Sequence, residues 1–339
     1  MKLAAGKLPP ELLSELLGTI PPADSSVVVG SGLGEDAAVI DNGGPELLVV
    51  KSDPITFAAA DIGRYLLAVN GNDLATMGAE PRWLLVTALL PERIEPDQVR
   101  EIFAGVTRAC AECGVALVGG HTEVTVGLDR PIVSGCLLGT VPRASVVRTA
   151  GAQIGDAILL TAGIAIEGTA ILASEHASML RERGIGEEVI AAARGWTTEP
   201  GISVLPACRA LRGAVQVHSM HDPTEGGVIT ALHEVAEAAG VGLQIVRDEI
   251  AVLPETRTIC EAVKLDPLGL LASGALLATL AESEVFGAIR VLEHAGVPCR
   301  RIGEVVPASE GRKLIREGTA NPLPVFARDE LARFLEALW

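Results

Sequence analysis

The apolar residues of this chain fall into two successive series of short runs, and each series alternates between the period of a strand and the period of a helix. Val27–Val29, Ala37–Asp41 and Leu47–Ser52 read as strands. Asp61–Met77 carries Ile62, Leu66, Leu67, Val69, Leu74 and Met77 at helical spacing. Trp83–Leu90 is strand-like, Pro96–Cys113 helical, Val115–Val118 a buried strand and Ile132–Val141 a further strand. The pattern restarts after Arg148-Thr149-Ala150-Gly151 with a strand at Asp156–Thr161 and a helix from Ile166 to Arg181. Val215–Ser219 and Leu243–Val246 follow as strands, with helices at Thr224–Ala239, Glu282–Ala295 and Leu331–Leu338. Such alternation predicts two α/β (α+β) domains. A short helix over Pro9–Ile20, bracketed by prolines, precedes them. The expected boundaries are an N-terminal helix and tail over 1–24, a first domain over 25–148, a second over 149–308 and a C-terminal extension over 309–339.

The core of both domains must be aliphatic, because 49% of residues are hydrophobic and only 3% aromatic. That scarcity removes the stacking platforms used to bind single-stranded nucleic acid. A formal charge of −16 opposes contact with a phosphate backbone, so no nucleic-acid partner is expected. A nucleotide remains compatible, since a metal ion held by carboxylates can bridge an acidic protein to phosphates. The sequence shows neither a long uncharged apolar run nor a signal-type start, so no membrane contact and a cytoplasmic location are expected. The six cysteines are dispersed. Cys110 and Cys113 form a lone pair inside a helical pattern, too few ligands for zinc, and read as small packing residues.

Gly30-Ser31-Gly32-Leu33-Gly34 suggests a phosphate loop, but no Gly-Lys-Ser/Thr follows, and the next residues read as a strand rather than the helix a dinucleotide fingerprint requires. A flexible turn remains the alternative. The stronger signal is a set of carboxylates among apolar neighbours. Asp36 stands between the glycine loop and a strand, and Asp53 ends a strand before Pro54. Asn70 and Asp73 share one face of a helix, Glu123 follows Gly119-Gly120-His121-Thr122, and Asp222 opens His221-Asp222-Pro223-Thr224-Glu225-Gly226-Gly227. A buried carboxylate is costly unless paired or bound to a cation, and few Lys or Arg lie nearby in sequence, which points to Mg²⁺. Bland alternatives stand beside this: Asp222 reads equally as a helix N-cap with Pro223 at N1, and Asp53-Pro54 as a turn. His121 and His221 read as hydrogen-bond partners or as catalysts.

These segments, in this order, resemble the PurM-like superfamily of AIR synthase, thiamine-monophosphate kinase, selenophosphate synthetase and HypE. The carrying strings are Gly34-Glu35-Asp36-Ala37-Ala38-Val39, Ser52-Asp53-Pro54, Asn72-Asp73-Leu74-Ala75-Thr76-Met77-Gly78-Ala79 and Gly119-Gly120-His121-Thr122-Glu123, then Gly155-Asp156, Ile164-Ala165-Ile166-Glu167-Gly168-Thr169-Ala170 and Asp222-Pro223-Thr224-Glu225-Gly226-Gly227. Two of them, Asn72–Ala79 and Asp222–Gly227, point closest to HypE. The resemblance implies a homodimer whose N-terminal domains are half-barrels that pair, with a C-terminal α/β sandwich domain. It implies ATP between subunits, with Asp36, Asp53, Asp73 and Glu123 around Mg²⁺. Gly34, Lys51, Asn70, Gly120 and Thr122 would join them at the nucleotide, and Asp222, Thr224, Gly226 and Gly227 would face it from the second domain. Asp73, His121 and Asp222 are the implied catalytic residues.

One departure bears on the reaction. HypE proteins carry a C-terminal Cys that accepts a carbamoyl group, whereas this sequence closes Phe334-Leu335-Glu336-Ala337-Leu338-Trp339 and its last cysteine is Cys299. The expectation is therefore ATP-dependent phosphoryl transfer to a separate small acceptor, with a link to hydrogenase maturation. A kinase like thiamine-monophosphate kinase is the alternative, although its Asp-x-Ser-Asp-Gly string reads Asp222-Pro223-Thr224-Glu225-Gly226 here. A non-catalytic nucleotide-binding maturation partner is the third reading.

Overall fold

The computed structural model describes residue 8 and residues 10–21, 24–32, 34–56 and 61–337. Pro9, Leu33, Leu338 and Trp339, which entered the sequence reading, lie outside the described residues. The N-terminal helix α1 spans Pro10–Leu17. The chain divides into two compact units, one drawn from 23–30 and 36–146, the other from 1–22, 31–35 and 147–339. Both are mixed α/β, each built on one sheet.

The first unit holds β1 (Val27–Val29), β2 (Ala38–Ile40), β3 (Glu46–Ile55), β4 (Glu80–Pro91), β5 (Ala116–Thr125) and β6 (Ile132–Pro142), in the order β1-β2-β3-β6-β4-β5. Helix α2 (Ile62–Thr76) links β3 to β4, and α3 (Pro96–Cys113) carries the chain from β4 to β5. That crossover lets β4 and β5 pair in parallel. Helix α3 starts on Pro96 with a reciprocal capping box between Glu95 and Gln98, and stops at Gly114 in the left-handed conformation. Helix α2 is buried over most of its length, including Asn70, Asn72, Asp73 and Thr76. Burial alternates along β3, β4 and β6, as a half-covered sheet requires. The less covered face carries Leu48, Val50, Leu85, Leu89, Cys136 and Leu138.

Two strands differ from expectation. β3 does not end at Asp53: its ladder with β6 continues through Asp53↔Gly135 and Pro54↔Ser134 to Ile55. β2 pairs only as far as Val50, so Pro54 lies where β3 has a single neighbour and a missing N–H is tolerated. β5 is not a short buried strand followed by a glycine turn. It runs straight through Gly119-Gly120-His121-Thr122-Glu123, and its residues are exposed almost throughout because it is the edge of the sheet. Gly120 is required there: a Cβ would sit 1.8 Å from the Val86 carbonyl oxygen.

The second unit holds β7 (Asp156–Thr161), β8 (Val217–His221), β9 (Gly242–Val246), β10 (Leu277–Ala281), β11 (Cys299–Val306), β12 (Arg312–Arg316) and β13 (Thr319–Pro322), in the order β13-β12-β9-β11-β7-β10-β8. β9 and β12 run parallel. The expected helix over Ile166–Arg181 is broken at His176 into α4 (Ile166–Glu175) and α5 (Ala177–Glu182). The remaining helices are α6 (Glu187–Arg194), α7 (Leu205–Leu211), α8 (Gly227–Ala239), α9 (Pro254–Val263), α10 (Val285–His294) and α11 (Glu330–Glu336). The core sets Val228 and Leu232 of α8 against Ile158, Leu160, Ile245 and Leu277 of the sheet. Each such side chain contributes about 1.5–3 kcal/mol by leaving water. Among the described residues no helix is long and apolar enough to cross a membrane.

Candidate functional site

In the first unit, Lys51 and Asp53 stand two apart on β3 and so point to one face. Asn70, fully buried on α2, holds that stretch of strand in place. Its Oδ1 accepts from the Asp53 N–H at 2.8 Å, and its Nδ2 donates to the carbonyls of Asp53 at 3.3 Å and Leu66 at 3.0 Å. One turn further along α2, Asp73 is buried and meets the Lys51 ammonium at 3.0 Å, while Asp53 meets it at 3.3 Å. Asp36, also buried, brings a carboxylate oxygen within 4.8 Å of one on Asp73. Burial alone would lower the Lys51 pKa, but Asp73, Asp53 and Asp36 outweigh it and hold the group above the ordinary lysine range. Lys51, which the resemblance placed at the nucleotide, is brought by the strand between these acids and answers part of their charge. Three carboxylates against one ammonium still leave a negative site of hard oxygen donors, and that donor set suits Mg²⁺.

The other residues assigned to the first domain are not brought to this cluster by the chain's own fold. Gly120, His121, Thr122 and Glu123 lie on β5, and β6 and β4 intervene between β3 and β5. That is three strand spacings, about 14 Å. His121 and Glu123 face each other there, with Nε2 and Oε2 3.1 Å apart and both side chains well exposed. His121, Gly120 and Thr122 line a cavity of about 460 Å³ with Val86, Phe103 and Val118.

In the second unit Gly34, at the end of the glycine loop, is packed. Gly34 has φ 76°, and a Cβ there would lie 3.1 Å from the Glu234 carbonyl oxygen on α8. Glu35 pairs with Arg148 at 2.5 Å. Asp222 is not a helix cap. The helix expected from Thr224 begins at Gly227, with Gly226 as its N-cap in the left-handed conformation. The bland account of a buried Asp222 therefore falls away. Its neighbour His221 meets Glu234, Nε2 to Oε2 at 3.0 Å. Thr224 offers its carbonyl to the N–H groups of Gly227 at 3.0 Å and Ala272 at 3.3 Å. Gly227 has φ 65° and lies so close to the Leu268 carbonyl that a Cβ would come within 2.4 Å.

Two carboxyl groups beside this loop were missed in the sequence. Glu167, in the first turn of α4, is 5% exposed, and its Oε2 has no hydrogen-bond partner among the described residues. Burial pushes it up to about 8, opposed by the Ser273 hydroxyl and reinforced by Glu225, Asp329 and Asp222. Asp329, ahead of α11, is pushed up to about 7 by burial, with Glu225 adding to it, although the N–H groups of Gly226, Leu331 and Ala332 favour its ionised form. Glu167 did carry a signal. It is a lone acid in the apolar run Ile164-Ala165-Ile166-Glu167-Gly168-Thr169-Ala170, the same pattern that singled out Asp36 and Asp73.

Two successive mixed units, with acids gathered at glycine-bearing turns and no Gly-Lys-Ser/Thr loop, define an AIR synthase-related protein. The family model for the AIR synthase related protein N-terminal domain matches residues 34–141, and that for the C-terminal domain matches residues 153–315. A protein of Methanocaldococcus jannaschii described as a hydrogenase expression/formation protein is 28% identical over 346 residues, covering 95% of this chain and 97% of that one. Carbamoyl dehydratase HypE of Cupriavidus necator is 32% identical over 272 residues, covering 78% of this chain and 73% of that one. A solved structure of the hydrogenase maturation protein HypE in complex with ATP is similar at a TM-score of 0.71 and 25% identity, covering 88% of this chain and 90% of that one. The chain belongs to the HypE family.

The environment of Glu167 has a measurable consequence for stability. Its folded pKa lies above the unfolded value of 4.5, so the folded state holds the proton more tightly. Stability from this group is full below that value and is lost as pH rises toward about 8. Glu167→Gln keeps the shape and removes the ionisation. The variant is expected to match the parent near pH 5 and to be more stable near pH 9, by on the order of a few kcal/mol. Melting curves at both pH values check this, and a pH-independent difference would contradict it.

Proposed function

We propose that this chain is an ATP- and Mg²⁺-dependent enzyme of the HypE type that activates a carbonyl or amide oxygen of a small acceptor by phosphoryl transfer. The observation that carries this reading is the Lys51 ammonium set among Asp36, Asp53 and Asp73 in a chain without a phosphate loop. Phosphoryl transfer asks a protein mainly for metal, charge and position. Asp36, Asp53 and Asp73 would hold Mg²⁺, which would neutralise the phosphates, and Lys51 would orient them. In the proposed reaction the γ-phosphoryl group passes to the acceptor oxygen, ADP leaves, and the phosphorylated oxygen becomes a better leaving group. Asp222, with Thr224, Gly226 and Gly227, would face the reacting end, and Gly34 would support it. Relatives of this family are named carbamoyl dehydratases, which fits removal of an activated oxygen.

Gly120, His121, Thr122 and Glu123 belong to the same reading through a second copy of the chain. β5 is an exposed edge bearing Leu117, Val118 and Val124, and Leu85 is exposed beside it. Long apolar edges are ordinarily covered. Closure of two half-barrels at this edge would carry the β5 residues of one protomer to the nucleotide of its partner.

The acceptor is proposed to be a separate molecule rather than a cysteine of this chain. Burial pushes Cys299 up to about 12, with Glu293 adding to it, and pushes Cys260 up to about 12 as well. Neither is poised as a thiolate nucleophile at neutral pH.

Three outcomes are expected. Saturating ATP with Mg²⁺ raises the melting temperature, and Asp73→Asn weakens that binding by about tenfold or more with the fold intact, since a lost charge contact of ~1.4 kcal/mol corresponds to tenfold. Calorimetric titration giving equal affinities would sink the role of Asp73. Light scattering at micromolar concentration returns a dimer of the 35.1 kDa chain, and a monomer there would remove the shared site. Intact-mass spectrometry after incubation with ATP and a carbamoyl donor finds every cysteine unmodified. A carbamoyl or cyano adduct would overturn the separate acceptor.

A further inference from the structure

Gly226 stands at φ 83° and Gly227 at φ 65°, two consecutive residues in the left-handed region, which glycine enters without strain and in which its own freedom does not fix the turn. Helix α8 begins on this pair, and its N-cap residue, a glycine, has no side chain with which to cap. The N–H of this residue finds its own acceptor far along the chain. The Asp329 Oδ2 accepts from the Gly226 N–H at 2.7 Å, and the Oδ1 of the same carboxylate accepts from the Leu331 N–H at 2.6 Å, which makes Asp329 the N-cap of α11. We propose that Asp329 is a positioning residue that holds the Asp222–Gly227 loop in its working shape, one carboxylate serving the approach to α8 and the start of α11 together.

The inference rests on the reading of that loop as part of the active site. Three features of the geometry carry it. Asp329 is 6% exposed, so water cannot replace it as acceptor for Gly226. Both of its oxygens are used, in different directions, so an amide with a single acceptor cannot serve both N–H groups. The segment that carries Asp329 is anchored independently of the loop. His233 Nε2 meets the Pro324 carbonyl at 2.9 Å, the Phe326 ring lies where a Cβ on Gly269 would be 2.4 Å away, and Glu330 accepts from the Asp266 N–H at 2.9 Å. Arg333 pairs with Glu330 at 2.6 Å and donates to the Lys264 carbonyl at 2.9 Å. These ties hold the strap without touching Gly226, and Asp329 passes that hold to the Gly226 N–H.

The test compares Asp329→Asn with Arg333→Ala, which loosens α11 and leaves the Gly226 contact in place. Hydrogen exchange at the Gly226 amide, Mg²⁺-ATP affinity and ATP turnover are measured on the full chain. Asp329→Asn is expected to speed Gly226 exchange by about tenfold or more and to lower kcat by a similar factor, with Mg²⁺-ATP affinity within about twofold of the parent. Arg333→Ala is expected to lower the melting temperature while Gly226 exchange and kcat stay within about twofold. Unchanged Gly226 exchange in Asp329→Asn overturns the proposal, and so does an equal loss of kcat in both variants, because α11 would then act only as a structural support. If the parent turns over no ATP, the proposed function fails on that measurement, and the exchange comparison still decides whether Asp329 holds the loop.

Discussion

Lys51 carries one positive charge among Asp36, Asp53 and Asp73, and the first unit is arranged to keep it there. Bringing several acids out of water is costly unless a cation answers them. The strand supplies the cation and one acid, the helix supplies another, and Asn70 locks strand and helix by taking both backbone groups of Asp53. The unusual burial of polar groups along α2 follows from this constraint. A helix that packed only for apolar contact would not carry Asn70, Asn72 and Asp73 on its covered side.

The second unit meets the same electrostatic problem differently. No basic side chain faces Glu167 or Asp329 through a described ion pair, and both carboxyls are pushed up toward neutrality by burial and by other acids. One unit thus sets an ammonium among its acids, while burial in the other pushes two carboxyls up toward neutrality. A charged cluster suits phosphates and metal, and a pair of carboxyls near neutrality suits proton movement.

Much of this was legible in the sequence, because apolar period and turn residues report what a segment does locally. Helix α3 was read to the residue, from Pro96 to Cys113. What could not be read depends on partners distant in the chain. Pro54 looked like a strand end because nothing local shows that β2 stops pairing at Val50. Val115–Val118 looked buried because an apolar run is the same string at a sheet's centre and at its edge. Asp222 looked like a cap because Pro223 and Glu225 fit the local rule, while Asp329, which accepts from the Gly226 N–H ahead of the helix, lies beyond any local window. Among the site residues, Asp36, Asp53 and Asp73 were visible as acids in apolar company, but Lys51 as their shared counter-charge was not.

The glycine loop has a consequence for how the chain assembles. Residues 31–35 belong with the second unit, although β1 before them and β2 after them belong with the first. As the chain leaves the ribosome, β1 and β2 emerge early, but the carbonyl of Glu234 against which Gly34 packs is made much later. The N-terminal sheet can form its long β3–β6 ladder first, yet the turn joining β1 to β2 must wait, without a partner, for the second half of the protein. Contacts of such separation slow folding and couple one half to the completion of the other. A chain cut after residue 146 would therefore contain every strand of the first sheet and still lack the surface that shapes the turn leading into Asp36.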